Sequence, residues 1–257
     1  MTQRVIESIT GRETKVIRRT LDGALKTDYP DLEILVVDDG SSDDTADIVR
    51  DYALKHPQVT LIAKSNAGKW SALNVGFATS RRDYIVTLDA DTIVPPHAIA
   101  ELIAPFGDAQ VDAVCGNVQV GNVHNLLTAF QDLEYVTTQN HDRRAFDALN
   151  CISVVPGATG AWKRQSVLNA GGYSRQTLTE DADVTLTLPA GGARIVYAPD
   201  ARSVTEAPDR CAALFKQRVR WSFGTFQCLW KHRGQLCKGT LGWVAMPPVE
   251  SIPSRAA

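Results

Sequence analysis

Four short charged motifs follow one another along the chain: Val37-Asp38-Asp39-Gly40-Ser41, Asp89-Ala90-Asp91, Thr179-Glu180-Asp181 and Gln217-Arg218-Val219-Arg220-Trp221. Asp89 and Asp91 close a hydrophobic run, and two carboxylates one residue apart repel each other unless a positive charge lies beside them. Mg²⁺ or Mn²⁺, held by one or two carboxylates plus phosphate oxygens, removes that penalty. A solvated acidic loop is the plainer alternative. Glu180 and Asp181 add a second acidic centre, in which Asp181 could deprotonate an acceptor hydroxyl while a metal stabilises a departing diphosphate. A carboxylate favoured by a helix dipole would look the same in isolation, and Asp183 reads in that way or as facing solvent. Arg218 and Arg220 could brace a diphosphate, with Gln217 beside them and Trp221 offering an apolar face to a sugar ring. Together with Lys216, Trp230, Lys231, His232 and Arg233, the same stretch also reads as a basic amphipathic helix for a membrane surface. Taken together, the four motifs suit transfer of a group, best a sugar, from a nucleoside diphosphate.

Two further positions are weaker on their own. Asp39 follows a strand-like run and precedes Gly40, so its carboxylate could meet a planar base at a sheet edge. The same Asp-Asp-Gly-Ser turn is also an ordinary helix entry, with Ser41, Ser42 or Asp43 as N-caps. Lys69 follows a glycine at the start of a predicted helix, a place for an ammonium near an anion or simply a surface lysine.

The elements that would hold these residues alternate between strand and helix. Leu32 to Val37, Val59 to Ala63 and Tyr84 to Leu88 read as strands, and Thr45 to Lys55 and Lys69 to Thr79 as helices. That alternation predicts an α/β fold with a mostly parallel, doubly wound sheet, whose ligands gather at the carboxyl ends of the strands. Both acidic motifs of the first half stand there. A helix from Pro95-Pro96 through Phe106, a strand over 111–120, a helix over 125–149, strand and turn over 152–162, a short helix to Ala170, a helix from Glu180 to about Pro189 and a strand over 194–198 follow. Residues 212–233 predict a last amphipathic helix, and the tail after it reads as irregular.

With 257 residues, 44% hydrophobic and 22% charged, the chain can bury a sizeable core, and one catalytic domain over 1–240 with an irregular tail over 241–257 is expected. A net charge of −2 gives no whole-molecule field for nucleic acid, so nucleic acid is not an expected partner. Five cysteines without a Cys-x-x-Cys pair argue against a disulfide scaffold or zinc ribbon and for buried thiols. No segment approaches the ~20 apolar residues of a spanning helix, so the chain as it stands is not expected to cross a membrane.

The order of Asp-Asp-Gly-Ser, Asp-x-Asp, Thr-Glu-Asp and Gln-Arg-x-Arg-Trp resembles the inverting family 2 glycosyltransferases of the polysaccharide-synthase type, from about Val16 to about Gly242. The stretch from Gln139 to Ala161 resembles bacterial members of that group. The resemblance implies a nucleotide-sugar-binding sheet of glycosyltransferase A type, with Asp38 and Asp39 at the uracil of a UDP-sugar and Lys69 near the nucleotide. It further implies that Asp89 and Asp91 hold the metal and diphosphate, that Asp181 is the catalytic base, and that Gln217, Arg218, Arg220 and Trp221 close over the diphosphate and line the acceptor terminus. A saccharide acceptor, a β-linkage formed by single displacement, and a place on the cytoplasmic side of the cell membrane follow from the same likeness. N-acetylglucosamine is favoured over glucose as the donor sugar. Membrane-embedded synthase segments absent from this chain would be further partners.

The chain departs from the family at its start, where Glu7 to Thr14 replaces the usual apolar strand. The opening strand is therefore expected to be truncated or replaced, with damage to the donor pocket and central sheet, and a catalytically silent nucleotide-sugar-binding fragment is the alternative function. A nucleotidyltransferase on a similar sheet is a third reading, which leaves the last two motifs unexplained.

Overall fold

The computed structural model describes residues 3–9, 16–190 and 192–246. Seven strands form one sheet: β1 (Gln3–Ile9), β2 (Leu32–Asp38), β3 (Val59–Ala63), β4 (Tyr84–Asp89), β5 (Val111–Val120), β6 (Gly160–Lys163) and β7 (Arg194–Thr205), in the order β3-β2-β1-β4-β6-β5-β7. The run from β3 to β4 is parallel throughout, and β5 pairs in parallel with β7. Only β6 is reversed, running antiparallel to both β4 and β5. The expected mostly parallel α/β architecture is therefore the one observed.

Helices α1 (Ile17–Leu25), α2 (Thr45–Lys55), α3 (Lys69–Thr79), α4 (Ala98–Ile103), α5 (Leu126–Val136), α6 (Asp142–Ala148), α7 (Arg164–Asn169), α8 (Glu180–Ala190) and α9 (Cys211–Lys231) accompany the sheet. Both sheet faces are covered, so the central strands are apolar at successive positions, as buried parallel strands must be. Ile34 and Val36 pack with Ile17, Leu21, Ile48 and Val49, whereas Leu35 and Val37 turn to Leu73, Phe77 and Trp162 on the other face.

The opening of the chain corrects an expectation. Gln3–Ile9 lies in the middle of the sheet, paired in parallel with β2 on one side and β4 on the other. The backbone of the central sheet is continuous there despite the unusual sequence, while Thr10 to Thr14 fall outside the described residues. Elsewhere the helix expected over 125–149 is interrupted by a π-turn at Thr137–His141, with Asn125 and Thr128 forming a capping box at its start. In the 152–162 stretch only the end is a strand. Pro156 lacks an N–H, and the Val155 N–H goes to Thr185 Oγ1 (3.0 Å) and not to a ladder. The strand at 194 runs on through Pro199 to Thr205, since β7 is an edge strand and a register shift there accommodates the proline. Leu241–Ala245 is a helical turn, not irregular chain, and residues 247–257 of the expected tail lie outside the described residues. Helix α1 had no counterpart in the sequence reading.

Trp162 on β6 seals the core at the point where parallel and antiparallel pairing meet. It is 1% exposed, donates its indole N–H to Thr87 Oγ1 (3.0 Å) and meets the Tyr173 ring edge-on. Trp162→Ala is expected to cost about 3–5 kcal/mol, read from the urea unfolding midpoint at unchanged slope.

Candidate active site

The carboxyl edge of the sheet gathers the acidic motifs. Asp89 ends β4 and Asp91 follows it in a turn closed by the Thr92 N–H on the Asp89 carbonyl (2.9 Å), with Thr20 Oγ1 donating to the Ala90 carbonyl (2.7 Å). Glu180 and Asp181 begin α8. The Lys69 ammonium, from the first residue of α3, contacts Asp89 Oδ1 and lies 3.5 Å from Glu180 Oε1. Burial alone would lower this ammonium, but Asp89, Glu180 and Asp181 outweigh burial and hold it above the usual lysine range. Two acidic motifs distant in sequence thus share one cation.

The position of Lys69 is set from below. Asp39 is fully buried, and its carboxylate accepts the N–H groups of Ala67 (3.0 Å) and Gly68 (2.7 Å) as well as the Lys64 ammonium. These bonds fasten the loop that ends at Gly68, whose φ of +98° suits glycine and turns the chain into α3. Asp38 is buried as well, and its Oδ1 accepts from the Ser41 N–H (3.0 Å) and the Ser41 hydroxyl. Both aspartates therefore act as fasteners of the turn in this conformation. Gly157 supplies the other requirement, space: a Cβ there would come within 2.5 Å of Lys69 Nζ and 3.2 Å of Asp89 Oδ1. Its N–H donates to Asp181 Oδ2 (3.3 Å), while Asp181 Oδ1 accepts from the Ala182 N–H (2.9 Å).

A cavity of about 470 Å³ opens over this cluster. Lys69, Asp89, Asp91, Glu180 and Asp181 line one part of it, and Gln217, Arg220 and Trp221 of α9 line another. Residues 217, 220 and 221 are three and four apart and share a helix face. Arg218 lies off that face and is not among the lining residues. It makes a bidentate pair with Glu134 of α5 (2.6 Å for each bond) and stacks its guanidinium on Trp221, 4.9 Å from the ring centre. Asp183, read from sequence as a helix-start or solvent-facing carboxylate, is instead buried and accepts from Lys231 and His232 (2.7 Å each). Burial would raise this carboxyl, but those two partners hold it below the ordinary value. The sequence reading also missed Tyr135, Gln139, Arg143 and Gly157 of the cavity wall. A 3–4 spacing through 135, 139, 142 and 146 was the available signal.

Asp89 and Asp91 offer an all-oxygen donor set suited to a hard divalent cation. Among the described residues, no three His, Cys, Asp or Glu groups converge as a ready cage, so phosphate oxygens and water would complete the coordination, as is usual for Mg²⁺. The pair is short of positive charge in this state. Burial and then Asp89 raise the Asp91 carboxyl, against the smaller opposing effects of its own backbone, Lys69 and Thr205.

A family model described as glycosyltransferase-like family 2 matches residues 9–224. Poly-beta-1,6-N-acetyl-D-glucosamine synthase of Staphylococcus epidermidis is 31% identical over 218 residues, covering 84% of this chain and 53% of that protein. The protein of the same name from Staphylococcus aureus is 32% identical over the same span. The chain thus spans about half the length of the curated relatives it matches. Among solved structures, the mannosyltransferase PcManGT from Pyrobaculum calidifontis, in complex with GDP-Man and Mn²⁺, superposes with a TM-score of 0.78 at 24% identity, covering 96% of this chain and 68% of that one. Residues 1–349 of S. aureus TarS superpose with a TM-score of 0.61 at 17% identity, covering 94% of this chain and 69% of that one. These likenesses show the shared fold.

The Asp91 carboxyl titrates higher in the folded chain than in an unfolded one. Folded stability therefore falls as pH rises from the ordinary carboxylate range through the raised value, and the deficit persists at neutral pH. Asp91→Asn is expected to raise Tm by a few degrees at neutral pH and to lose that advantage once the pH drops below the ordinary carboxylate range, measured by circular dichroism without added metal.

Proposed function

This chain belongs to the glycosyltransferase-like family 2, and from that premise we propose that it transfers a sugar from a UDP-sugar to a saccharide hydroxyl with inversion, forming a β-glycosidic bond. N-acetylglucosamine is the favoured sugar and glucose the second, a preference supported by the names of the curated relatives. The observation that carries the reading is one cavity lined by Lys69, Asp89, Asp91, Glu180 and Asp181 together with Gln217, Arg220 and Trp221.

In this mechanism the Asp181 carboxylate takes the proton of the acceptor hydroxyl as its oxygen bonds to the anomeric carbon and the bond to the diphosphate oxygen breaks. Gly157 and Ala182 orient that carboxylate through their N–H groups. Lys69 and Arg220 supply positive charge beside the leaving diphosphate, and Trp221 offers its face to a sugar ring. Asp89 and Asp91 would hold Mg²⁺ or Mn²⁺, which stabilises the charge gathering on the departing diphosphate; the divalent ion in the PcManGT complex supports this assignment. Asp39 serves the nucleotide by fixing the 64–68 loop and Asp38 by fixing the turn at Ser41, and Arg218 serves it by bracing α9 against α5. The pairing of β1 with β2 and β4 supports the transfer reading over the silent-fragment alternative.

The same reading extends to a membrane setting on the cytoplasmic side. No helix among the described residues is long and apolar enough to cross a membrane. Nevertheless α9 exposes Phe215, Val219, Phe223, Phe226 and Trp230 on one stripe, and neighbouring α5 exposes Leu126, Phe130 and Leu133. Such a patch supports contact with a bilayer surface or with membrane-embedded parts of a longer synthase.

Two measurements test these proposals. With Mn²⁺ and a panel of UDP-sugars, the chain should release UDP selectively from one of them, and Asp181→Asn should lower kcat on the order of a thousandfold; full activity in that variant would remove Asp181 from the mechanism. Vesicles containing anionic lipid should sediment the wild-type chain but not a Phe223→Asp, Phe226→Asp variant, and a wild type that stays in the supernatant would end the membrane proposal.

A further inference from the structure

Away from the acidic cluster, one wall of the cavity carries polar groups that the transfer chemistry leaves unused. The helical segment running from α5 through the π-turn into α6 turns Tyr135, Thr138, Gln139, Asp142, Arg143 and Phe146 into the cavity. A π-turn is a local departure that recurs at functional sites. Arg143 is 7% exposed, and its guanidinium meets the Cys115 thiol and, among the described residues, no carboxylate within ion-pair distance. Burial draws this guanidinium down to about 10, against the opposing influence of Tyr197 and Asp181. An arginine has five N–H donors, and burying it without partners is costly. Close by, Gln139 Oε1 is buried without a hydrogen-bond partner, and so is Gln217 Oε1 on α9.

A ligand that suits this wall brings an acceptor for Arg143 and donors for the two glutamine oxygens. A carboxylate or phosphate brings acceptors only. With the donor diphosphate already drawing on Lys69 and Arg220, a second anion would also enter a cavity lined by six carboxylates (Asp89, Asp91, Asp142, Glu180, Asp181, Glu206) with Arg143 as its remaining lining cation. A neutral sugar answers both demands, since each hydroxyl or acetamido group donates and accepts. Phe146, Ile152 and Val154 on the same wall give its ring an apolar surface.

We propose that Gln139 and Arg143, with Gln217 across the cavity, form the subsite for the acceptor saccharide and select a neutral sugar over an acidic one. The subsite rests on the glycosyl-transfer reading above. Its residues bind the acceptor directly and hold its hydroxyl toward Asp181.

The test uses the whole chain with UDP and Mn²⁺ and titrates a neutral N-acetylglucosamine oligosaccharide, then one containing uronic acid, by calorimetry. Arg143→Met removes the donors at similar length, and Gln139→Leu does the same for the amide at a half-buried position, so one variant survives if the other misfolds. Each should weaken the neutral oligosaccharide at least tenfold while UDP affinity moves less than twofold. Unchanged oligosaccharide affinity in Gln139→Leu, tighter binding of the acidic oligosaccharide, or no oligosaccharide binding to the wild type would each overturn the subsite. Variant-sensitive oligosaccharide binding in a chain that releases UDP from no sugar would support the subsite and overturn the transfer reading.

Discussion

A single ammonium among carboxylates from separate elements is the contact on which the arrangement depends. Asp89 comes from the end of β4 and Glu180 and Asp181 from the start of α8, and the fold can bring them together only if their repulsion is offset. Lys69 does this while half withdrawn from water, where its charge acts strongly. Its position in turn depends on Asp39, which ties down the loop before α3, and on Gly157, which leaves room for the ammonium. Removing any of these would release like charges upon one another. The residual deficit shows in Asp91 and in Glu180, whose carboxyls remain raised, first by burial and then by their acidic neighbours despite Lys69. A site left short of positive charge is organised to receive more of it.

Much of this was legible because period and punctuation agree. Thr45–Lys55, Val59–Ala63, Lys69–Thr79 and Val111–Val120 begin and end where apolar spacing and turn residues place them. The failures have physical reasons. β1 carries Glu7 and Ser8 and lacks the apolar signature of a central strand, and its pairing partners, not its composition, establish it. Of the stretch read as strand and turn over 152–162, only the part from Gly160 is strand, and the expected turn at Pro156-Gly157 passes close to Lys69 and Asp89.

Side-chain roles were less legible than elements, since the same residue types serve both structure and chemistry. Asp39 reads from sequence as either a turn residue or a ligand, and in this structure it holds a loop; Arg218 reads as a clamp, and in this structure it pairs with Glu134. Arg143 drew no notice because an arginine on a helix ordinarily reaches solvent. What reverses that expectation is the π-turn that ends two residues earlier, at His141, which no apolar period reveals. The motifs marked the right region of the molecule, but which member of each motif faces the cavity depended on helical phase and tertiary partners.

Helix α9 joins the cavity to its surroundings. Gln217, Arg220 and Trp221 occupy one face, and the exposed Phe215, Val219, Phe223, Phe226 and Trp230 occupy the opposite one. Three fixtures hold the helix in this orientation: Arg218 to Glu134 near its start, Gly224 against Thr179 at its middle, and Lys231 with His232 on the buried Asp183 at its end. Thr179 and Asp183 flank Glu180 and Asp181, so the helix is anchored on the element that carries the proposed base. A rotation of α9 about its axis would carry the apolar stripe and the cavity-lining residues together. Covering the stripe therefore favours the same helix orientation that presents Gln217, Arg220 and Trp221 to the cavity, and the energetics of the outer face and of the reacting face are linked through one rigid element.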